Sequence, residues 1–317
     1  MARILIIDDV HPILADKLRR AGHEVVTDTA MSREKLLAVI SDYDALVVRS
    51  KLTVDKTVID ASTRLRCIGR VGAGMEIIDT QYAEARGICC LNSPEGNRDA
   101  VGEHTVGLLL ALFDNIARAD REVRAGIWRR EPNRGLEIKG RTIGIIGYGN
   151  MGQAFAKRLR GFECTVLAFD KYKHRFGNEW VAEVELSELM ARADVLSLHV
   201  PLTDETRYMV DGAFLSSFVK PFCLINTSRG AVIDTAALVN AMKQGTVTGA
   251  ALDVIEYEDM QTDGIFADTE PEALRWLKNS DRTVLSPHVA GWTVESKFRL
   301  SDVLADKMNS LLSISST

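Results

Sequence analysis

The run Thr142-Ile-Gly-Ile-Ile-Gly147-Tyr-Gly149-Asn-Met-Gly152 decides the reading of this chain. It holds an apolar strand, a turn with three glycines and the start of a helix, and Asp170 closes the next apolar run. Gly147 permits the tight turn, Gly149 lets the backbone approach a pyrophosphate, and Gly152 lets helix pack on strand, while helix N-terminal amides receive the phosphates. Asn150 and Met151 complete the turn. Three spaced glycines are a weak signal alone; strand, helix and acid in register make them a dinucleotide site. Asp170 would accept hydrogen bonds from ribose hydroxyls and repel a 2′-phosphate, which favours NAD over NADP. Lys171, Lys173 and Arg175 follow it and leave room for some use of NADP.

On both sides of this turn, short apolar runs alternate with amphipathic ones. Arg3 to Asp8, Glu24 to Val26, Ala45 to Arg49, Cys67 to Val71 and Ile88 to Leu91 read as strands, with helices such as Ile13 to Arg20 between them. A second series follows at Thr142 to Ile146, Cys164 to Phe169, Asp194 to His199, Phe222 to Asn226, Thr248 to Leu252 and Thr283 to Ser286. Alternation of this kind specifies α/β architecture with parallel sheets. One uninterrupted helix is expected from about Asp99 to Arg124, capped by Asn97 or Asp99 and buried between domains or between subunits. The helical tail Val294 to Leu312 is expected to return to the first unit.

The chain's 317 residues exceed the ~100–200 typical of one domain, so two are expected. A formal charge of −5 without a basic block argues against nucleic acid as a partner. The five cysteines, Cys67, Cys89, Cys90, Cys164 and Cys223, form no CxxC pair and read as buried reduced thiols, with no metal site. The N-terminal apolar run is too short for a signal peptide, and no segment reaches the ~18 apolar residues of a membrane span. A cytoplasmic protein without a membrane partner is expected.

Open parallel sheets bind ligands beyond the carboxyl ends of their strands. Those ends carry Asp170, His199-Val200-Pro201, Asn226-Thr227-Ser228-Arg229-Gly230, Asp253 and Ser286-Pro287-His288. Each has a bland reading: Arg229 as a solvated loop charge, Asp253 as a turn cap, His199 as a satisfied histidine behind the site. Five such ends together point to one crevice. Among the other histidines, His104 reads as a packed or capping residue within the long helix.

These residues, in this order, resemble the D-isomer-specific 2-hydroxyacid dehydrogenases, most closely their phosphoglycerate dehydrogenase branch. The matching runs are Val47-Val-Arg-Ser50, Gly69 to Gly74, Asn92 to His104, Gly147 to Gly152, His199-Val-Pro-Leu, Asn226 to Ala231, Ala251-Leu-Asp253 and Ser286 to Gly291. The resemblance implies a Rossmann-type NAD-binding domain, residues 98–290, inserted into a flavodoxin-like substrate domain of residues 1–97 and 291–317. It also implies a homodimer. Arg229 would hold the substrate carboxylate and C2 oxygen, His288 would exchange the proton at that oxygen, and Glu258 would pair with His288. Gly147, Gly149, Asn150, Met151, Gly152, Asp170, His199, Val200, Pro201, Thr227, Ser228, Asp253 and Gly291 would serve the cofactor. Arg49, Ser50, Arg70, Gly72, Ala73, Gly74 and Asn97 would serve the substrate, with Arg49, Ser50, Arg70 and a partner's Arg130 facing a phosphate.

Some features depart from the family pattern. Asp259 replaces the usual proline after Glu258, and an acidic stretch runs on to Glu272, so Glu256 is an alternative partner for His288. Glu76-Ile-Ile-Asp79 replaces a usual Asp-Asn-Ile-Asp. The chain is expected to lack the C-terminal regulatory domain of longer relatives. The expected reaction interconverts 3-phospho-D-glycerate and 3-phosphohydroxypyruvate in serine biosynthesis. Alternatives are a reductase of glyoxylate, hydroxypyruvate or another small 2-keto acid, and an NAD-gated corepressor-like binding protein.

Overall fold

The computed structural model describes residues 1–259, 264–265 and 270–314. They form two units, Met1–Arg98 with Trp292–Thr317, and Asp99–Gly291.

Unit 1 is built on strands β1 (Arg3–Ile6), β2 (Glu24–Thr27), β3 (Ala45–Val48), β4 (Cys67–Arg70) and β5 (Cys89–Asn92). They lie in the order β2-β1-β3-β4-β5, all parallel, which is the flavodoxin-like arrangement. Every residue of β3 is buried because helices cover both faces, so the strand is a continuous apolar run without alternation. Successive side chains still diverge: Leu46 and Val48 join one core with Leu5 and Ile68, while Ala45 and Val47 join another with Ile4 and Ile6. The helix Val294–Ile314 fills the second core with Leu304, Ala305 and Met308. It lies so close to β4 that a Cβ on Gly69 would sit 3.0 Å from Met308 Sδ.

Unit 2 contains β6 (Thr142–Ile146), β7 (Thr165–Phe169), β8 (Ala182–Glu183), β9 (Val195–Leu198), β10 (Phe222–Asn226) and β11 (Val247–Leu252). A short antiparallel pair, β12 (Glu258–Asp259) and β13 (Gly264–Ile265), precedes β14 (Thr283–Leu285). The main sheet has the order β14-β11-β10-β9-β6-β7-β8, with every pairing parallel. The chain runs outward from β6 through β7 to β8, then returns to β9 on the other side of β6. That reversal opens a crevice at the carboxyl ends of β6 and β9, as in Rossmann-type sheets.

The long helix departs from expectation. It is two helices, Arg98–Phe113 and Ile116–Arg124, separated at Asp114 and Asn115. Asn115 takes the left-handed conformation, with φ 53°. Asparagine tolerates this better than most residues. The break is secured from outside: Leu136 N donates to Phe113 O at 3.0 Å and Asn115 Nδ2 to Arg134 O at 3.2 Å. Asn97 does not cap the first helix, since its Oδ1 is buried without a hydrogen bond. Asp99 instead accepts from Arg158 Nη2 at 2.9 Å. The acidic stretch beyond Glu258 falls largely outside the described residues.

Leu224, in the middle of β10, is fully buried between strands β9 and β11. Leu224→Ala is expected to cost about 2–5 kcal/mol of stability. Denaturant unfolding monitored by circular dichroism measures this, and a loss under about 1 kcal/mol would contradict the packing.

Candidate active site

The glycine turn leaves β6 between two neighbours. Gly147 N donates to Phe169 O at 2.9 Å, and His199 N donates to Ile146 O at 2.8 Å. Gly147 has φ 90°, and a Cβ there would lie 2.5 Å from His199 O. A Cβ on Gly152 would lie 2.1 Å from Gly147 O, so only glycine lets the helix Asn150–Arg158 start this close to the strand. A Cβ on Gly149 would meet nothing within 4 Å, and no side chain caps that helix. The backbone at Gly149 therefore faces open space next to unused helix amides. These are the requirements for receiving a pyrophosphate.

Asp170 closes β7 beside this turn. Its Oδ2 accepts from Tyr148 N at 2.8 Å, and its Oδ1 from the amides of Tyr172 and Lys173, both at 3.0 Å. The carboxylate is thus held at the strand end with acceptor capacity remaining for a ribose hydroxyl. Lys171 pairs with Glu205 and Lys173 Nζ reaches Tyr148 O at 3.3 Å, so neither cation bonds Asp170 through its side chain. His199 Nε2 meets Ser197 Oγ at 2.8 Å, while Nδ1 is buried without a partner. Burial pushes His199 down to about 3, so its ring is neutral. Val200 packs against the core and Pro201 is exposed. The residues at this turn fit a nicotinamide dinucleotide.

Three neighbouring strands carry the remaining groups. Asn226 lies opposite Leu252, and Leu252 opposite Leu285, so β10, β11 and β14 end level with one another. After β10, the fully buried Asn226 organises the loop: its Oδ1 accepts from Ser228 N at 3.0 Å and Ser228 Oγ at 2.7 Å, and its Nδ2 donates to Arg229 O at 2.9 Å. Thr227 Oγ1 lies 3.3 Å from Thr105 Oγ1. The side chains of Thr227 and Ser228 thus turn inward, and Arg229 leaves the loop with extended backbone, its Nη1 donating to Ser228 O at 2.6 Å. Gly230 follows because a Cβ there would lie 2.1 Å from the backbone of Ile255.

Asp253, after β11, is 1% exposed. Its Oδ1 accepts from Ser286 Oγ at 2.6 Å and Val289 N at 3.0 Å, and its Oδ2 from Ala290 N at 2.9 Å. Its main-chain oxygen accepts from His288 N at 2.7 Å. Burial alone would push this carboxyl up; hydrogen bonds from His104, Ser286 and the two amides outweigh it and hold the carboxyl below the usual carboxylate range. Asp253 is expected at the cofactor; within the chain its carboxylate holds residues 286–290 around itself. Gly291 ends this unit immediately after that loop.

Within the loop, His288 adopts φ 53°, and its Nδ1 lies 3.1 Å from Glu258 Oε2. Glu256 is engaged elsewhere, accepting from Thr235 N at 3.1 Å at the start of the helix Thr235–Gln244. Glu258 is therefore the partner of His288.

In unit 1, Arg49, just after β3, and Arg70, the last residue of β4, converge. Arg70 Nε donates to Arg49 O at 3.2 Å, and a Cβ on Gly72 would lie 2.2 Å from Arg70 Nη1. The Arg49 guanidinium lies 4.4 Å over the Trp292 ring, while its amide donates to Asp8 Oδ2 at 2.6 Å. Ser93 N donates to Gly72 O at 2.9 Å, and Asn92 Nδ2 to Ala73 O at 2.6 Å. Ser50, Ala73 and Gly74 are half-buried. Sequence reasoning missed Trp292, Asn226 as organiser of the Arg229 loop, and the link from His104 to Ser286 at 3.1 Å. The position of Asn226 at a strand end was the one available signal.

Fold and site together define a Rossmann-type nicotinamide dinucleotide-binding domain with a polar site at its strand ends. The family model of the D-isomer specific 2-hydroxyacid dehydrogenase, NAD binding domain, matches residues 106–290, and the chain belongs to that family. It is 36% identical over 306 residues to a D-3-phosphoglycerate dehydrogenase of Archaeoglobus fulgidus, spanning 96% of this chain and 56% of that relative. It is 38% identical over 293 residues to a glyoxylate reductase of Thermofilum pendens, spanning 90% and 83% of the two chains. A solved D-lactate dehydrogenase from Aquifex aeolicus, complexed with NAD and lactic acid, superposes with TM-score 0.82 at 26% identity, covering 98% and 95%. The chain thus spans little more than half the length of its phosphoglycerate dehydrogenase relative. No described helix is long and apolar enough to cross a membrane.

Because the Asp253 carboxyl lies below its unfolded value, its contribution to stability is present above about pH 4 and is lost as pH falls through the folded value. Asp253→Asn is expected to be about 3 kcal/mol less stable at pH 7 and to lose less on acidification from pH 5 to 3. Urea unfolding across that range measures both. Parallel pH slopes for the two proteins would refute the assignment.

Proposed function

We propose that the protein interconverts a D-2-hydroxy acid and its 2-keto acid with NAD(H), with 3-phospho-D-glycerate as the substrate and serine biosynthesis as the context. The observation that carries the reading is the His288–Glu258 contact beside the Arg229 loop. Glu258 is an acceptor, so Nδ1 carries a proton toward it and Nε2 is the ring nitrogen left to exchange a proton with the C2 oxygen. Arg229 offers a fixed cationic fork to the carboxylate and the C2 oxygen, where charge develops. A nicotinamide cofactor, when bound, would supply the hydride chemistry. The turn Gly147 to Gly152 would hold its pyrophosphate and Asp170 the adenosine ribose, with the neutral His199, Val200, Pro201, Thr227, Ser228, Asp253 and Gly291 assigned along its course. In unit 1, Ala73 and Gly74 would offer amides to a substrate carboxylate, whereas the Gly72 amide already donates to Arg70 O at 2.9 Å; Asn97 would also serve the substrate, and Arg49, Ser50 and Arg70 would supply donors for a phosphate. A homodimer fits the exposed Ile127, Trp128 and Leu136 that follow the helix Ile116–Arg124.

A second reading, reduction of glyoxylate or hydroxypyruvate, is favoured by Trp292, which already covers one face of the Arg49 guanidinium. NADH absorbance across phosphorylated and unphosphorylated 2-hydroxy and 2-keto acids separates the readings. Preference for phosphoglycerate, with at least about tenfold loss for Arg49→Ala on that substrate alone, is expected. Equal losses on both substrate types would remove the phosphate role, and absence of turnover on every acid would favour a cofactor-gated binding protein. His288→Ala is expected to lower kcat at least about 100-fold with NADH affinity nearly unchanged.

Asp170→Ser removes the negative charge facing a 2′-phosphate. The ratio of kcat/KM for NADP to that for NAD is expected to rise at least about tenfold. An unchanged ratio would show that Asp170 does not set cofactor choice.

A further inference from the structure

His104 is the histidine that sequence reasoning set aside, yet its ring points at the loop carrying His288. Its Nε2 lies 3.1 Å from Ser286 Oγ and 3.4 Å from Asp253 Oδ1. The proton arrangement follows from donor counting. Asp253 as a carboxylate can only accept, so the single Ser286 hydroxyl proton points to its Oδ1 at 2.6 Å. Ser286 Oγ must then accept from His104, which places a proton on His104 Nε2. A directed line runs from His104 N–H to Ser286 O–H to the Asp253 carboxylate.

That carboxylate holds the loop. Val289 N and Ala290 N donate to its two oxygens, and His288 N donates to the Asp253 main-chain oxygen. Residues 286–290 are thereby folded around one acceptor, with His288 at φ 53°. A side chain in that conformation stays there only when its surroundings over-determine it. The helix that bears His104 meets the loop after β10 through Thr105, whose Oγ1 gives its proton to Val101 O of the same helix at 2.7 Å and lies 3.3 Å from Thr227 Oγ1. The consecutive residues His104 and Thr105 thus reach the loops that lead to His288 and Arg229.

We infer that His104 is a positioning residue for the reaction proposed above: through Ser286 and Asp253 it fixes the backbone that aims the His288 ring. His104 stands behind the loop, linked to His288 through Ser286, Asp253 and the backbone they hold. Its effect on turnover passes entirely through His288. The inference rests on the proposed function for its catalytic consequence and on the geometry alone for its structural one, and the two are tested separately.

The structural arm is amide hydrogen exchange in the intact protein. In His104→Ala and in Ser286→Ala, exchange at Val289 and Ala290 is expected to accelerate at least about tenfold, while β11 keeps its protection. Unchanged exchange at both amides overturns the inference whether or not a substrate is known. Should Ser286→Ala fail to fold, His104→Asn gives the same reading, because the His104 side chain is only partly buried. In the kinetic arm, with the substrate that the panel selects, His104→Ala is expected to lower kcat about tenfold and to leave KM and NADH affinity within about twofold. Ser286→Thr, which keeps the hydroxyl, is expected to retain most of the activity that Ser286→Ala loses. In a His288→Ala background, His104→Ala is expected to cause no further loss. Multiplicative losses in that background, or a fall in NADH affinity matching the fall in kcat, would overturn the inference. Failure of the whole substrate panel in the unmodified protein would count against the proposed function and leave the exchange arm standing.

Discussion

A parallel sheet sends every strand out across the same edge, and the chain must then find partners for backbone groups that the ladder no longer satisfies. In unit 2 that demand falls on the ends of β10, β11 and β14, which stop level with one another. Two buried polar side chains meet it. Asn226 collects the amide of Ser228 and the carbonyl of Arg229, and Asp253 collects the amides of Val289 and Ala290. Both are essentially without solvent exposure, so each would be costly if its partners were missing. With their partners in place, they turn two irregular loops into defined structures, which carry Arg229 and His288.

The same edge imposes close backbone approaches, and glycine answers them. Gly147 and Gly152 let β6, its turn and the following helix pack within distances that a methyl group would forbid. Gly230 does so for the loop after β10 against Ile255. Gly149 differs, because space beside it is open. One glycine at this turn is free of neighbouring protein while those flanking it are crowded, a pattern that fits backbone reserved for a ligand.

Much of this architecture was legible in the sequence because buried parallel strands are written as apolar runs: β6 and β10 begin and end where the runs Thr142 to Ile146 and Phe222 to Asn226 do. The break at Asn115 was not legible, since the apolar pattern continues across it and the break depends on Arg134 and Leu136, some twenty residues on. The choice between Glu256 and Glu258 also needed coordinates. Both are spaced plausibly from Asp253, and only the fold assigns one to Thr235 and the other to His288. Thr227 and Ser228 sit in a loop that sequence reads as ligand-facing, yet their hydroxyls turn to Thr105 and Asn226. His104 was opaque for the simplest reason: its partner Ser286 lies 182 positions away, and no local pattern encodes that distance.

The conformation of His288 shows which of two pressures prevails at this site. A left-handed φ on a residue with a side chain costs roughly 1 kcal/mol, and glycine would relieve it. Stability alone would therefore select glycine at this position. The chain keeps an imidazole there and invests in its support, with a buried carboxylate, a serine hydroxyl and a histidine from another helix behind the loop and a glutamate on the ring. Charge-assisted hydrogen bonds of this kind contribute about 1.5–3 kcal/mol each, enough to outweigh the backbone cost. Strain that is retained, surrounded and aimed is what a working group requires, and it supports the proposal that His288 carries the proton.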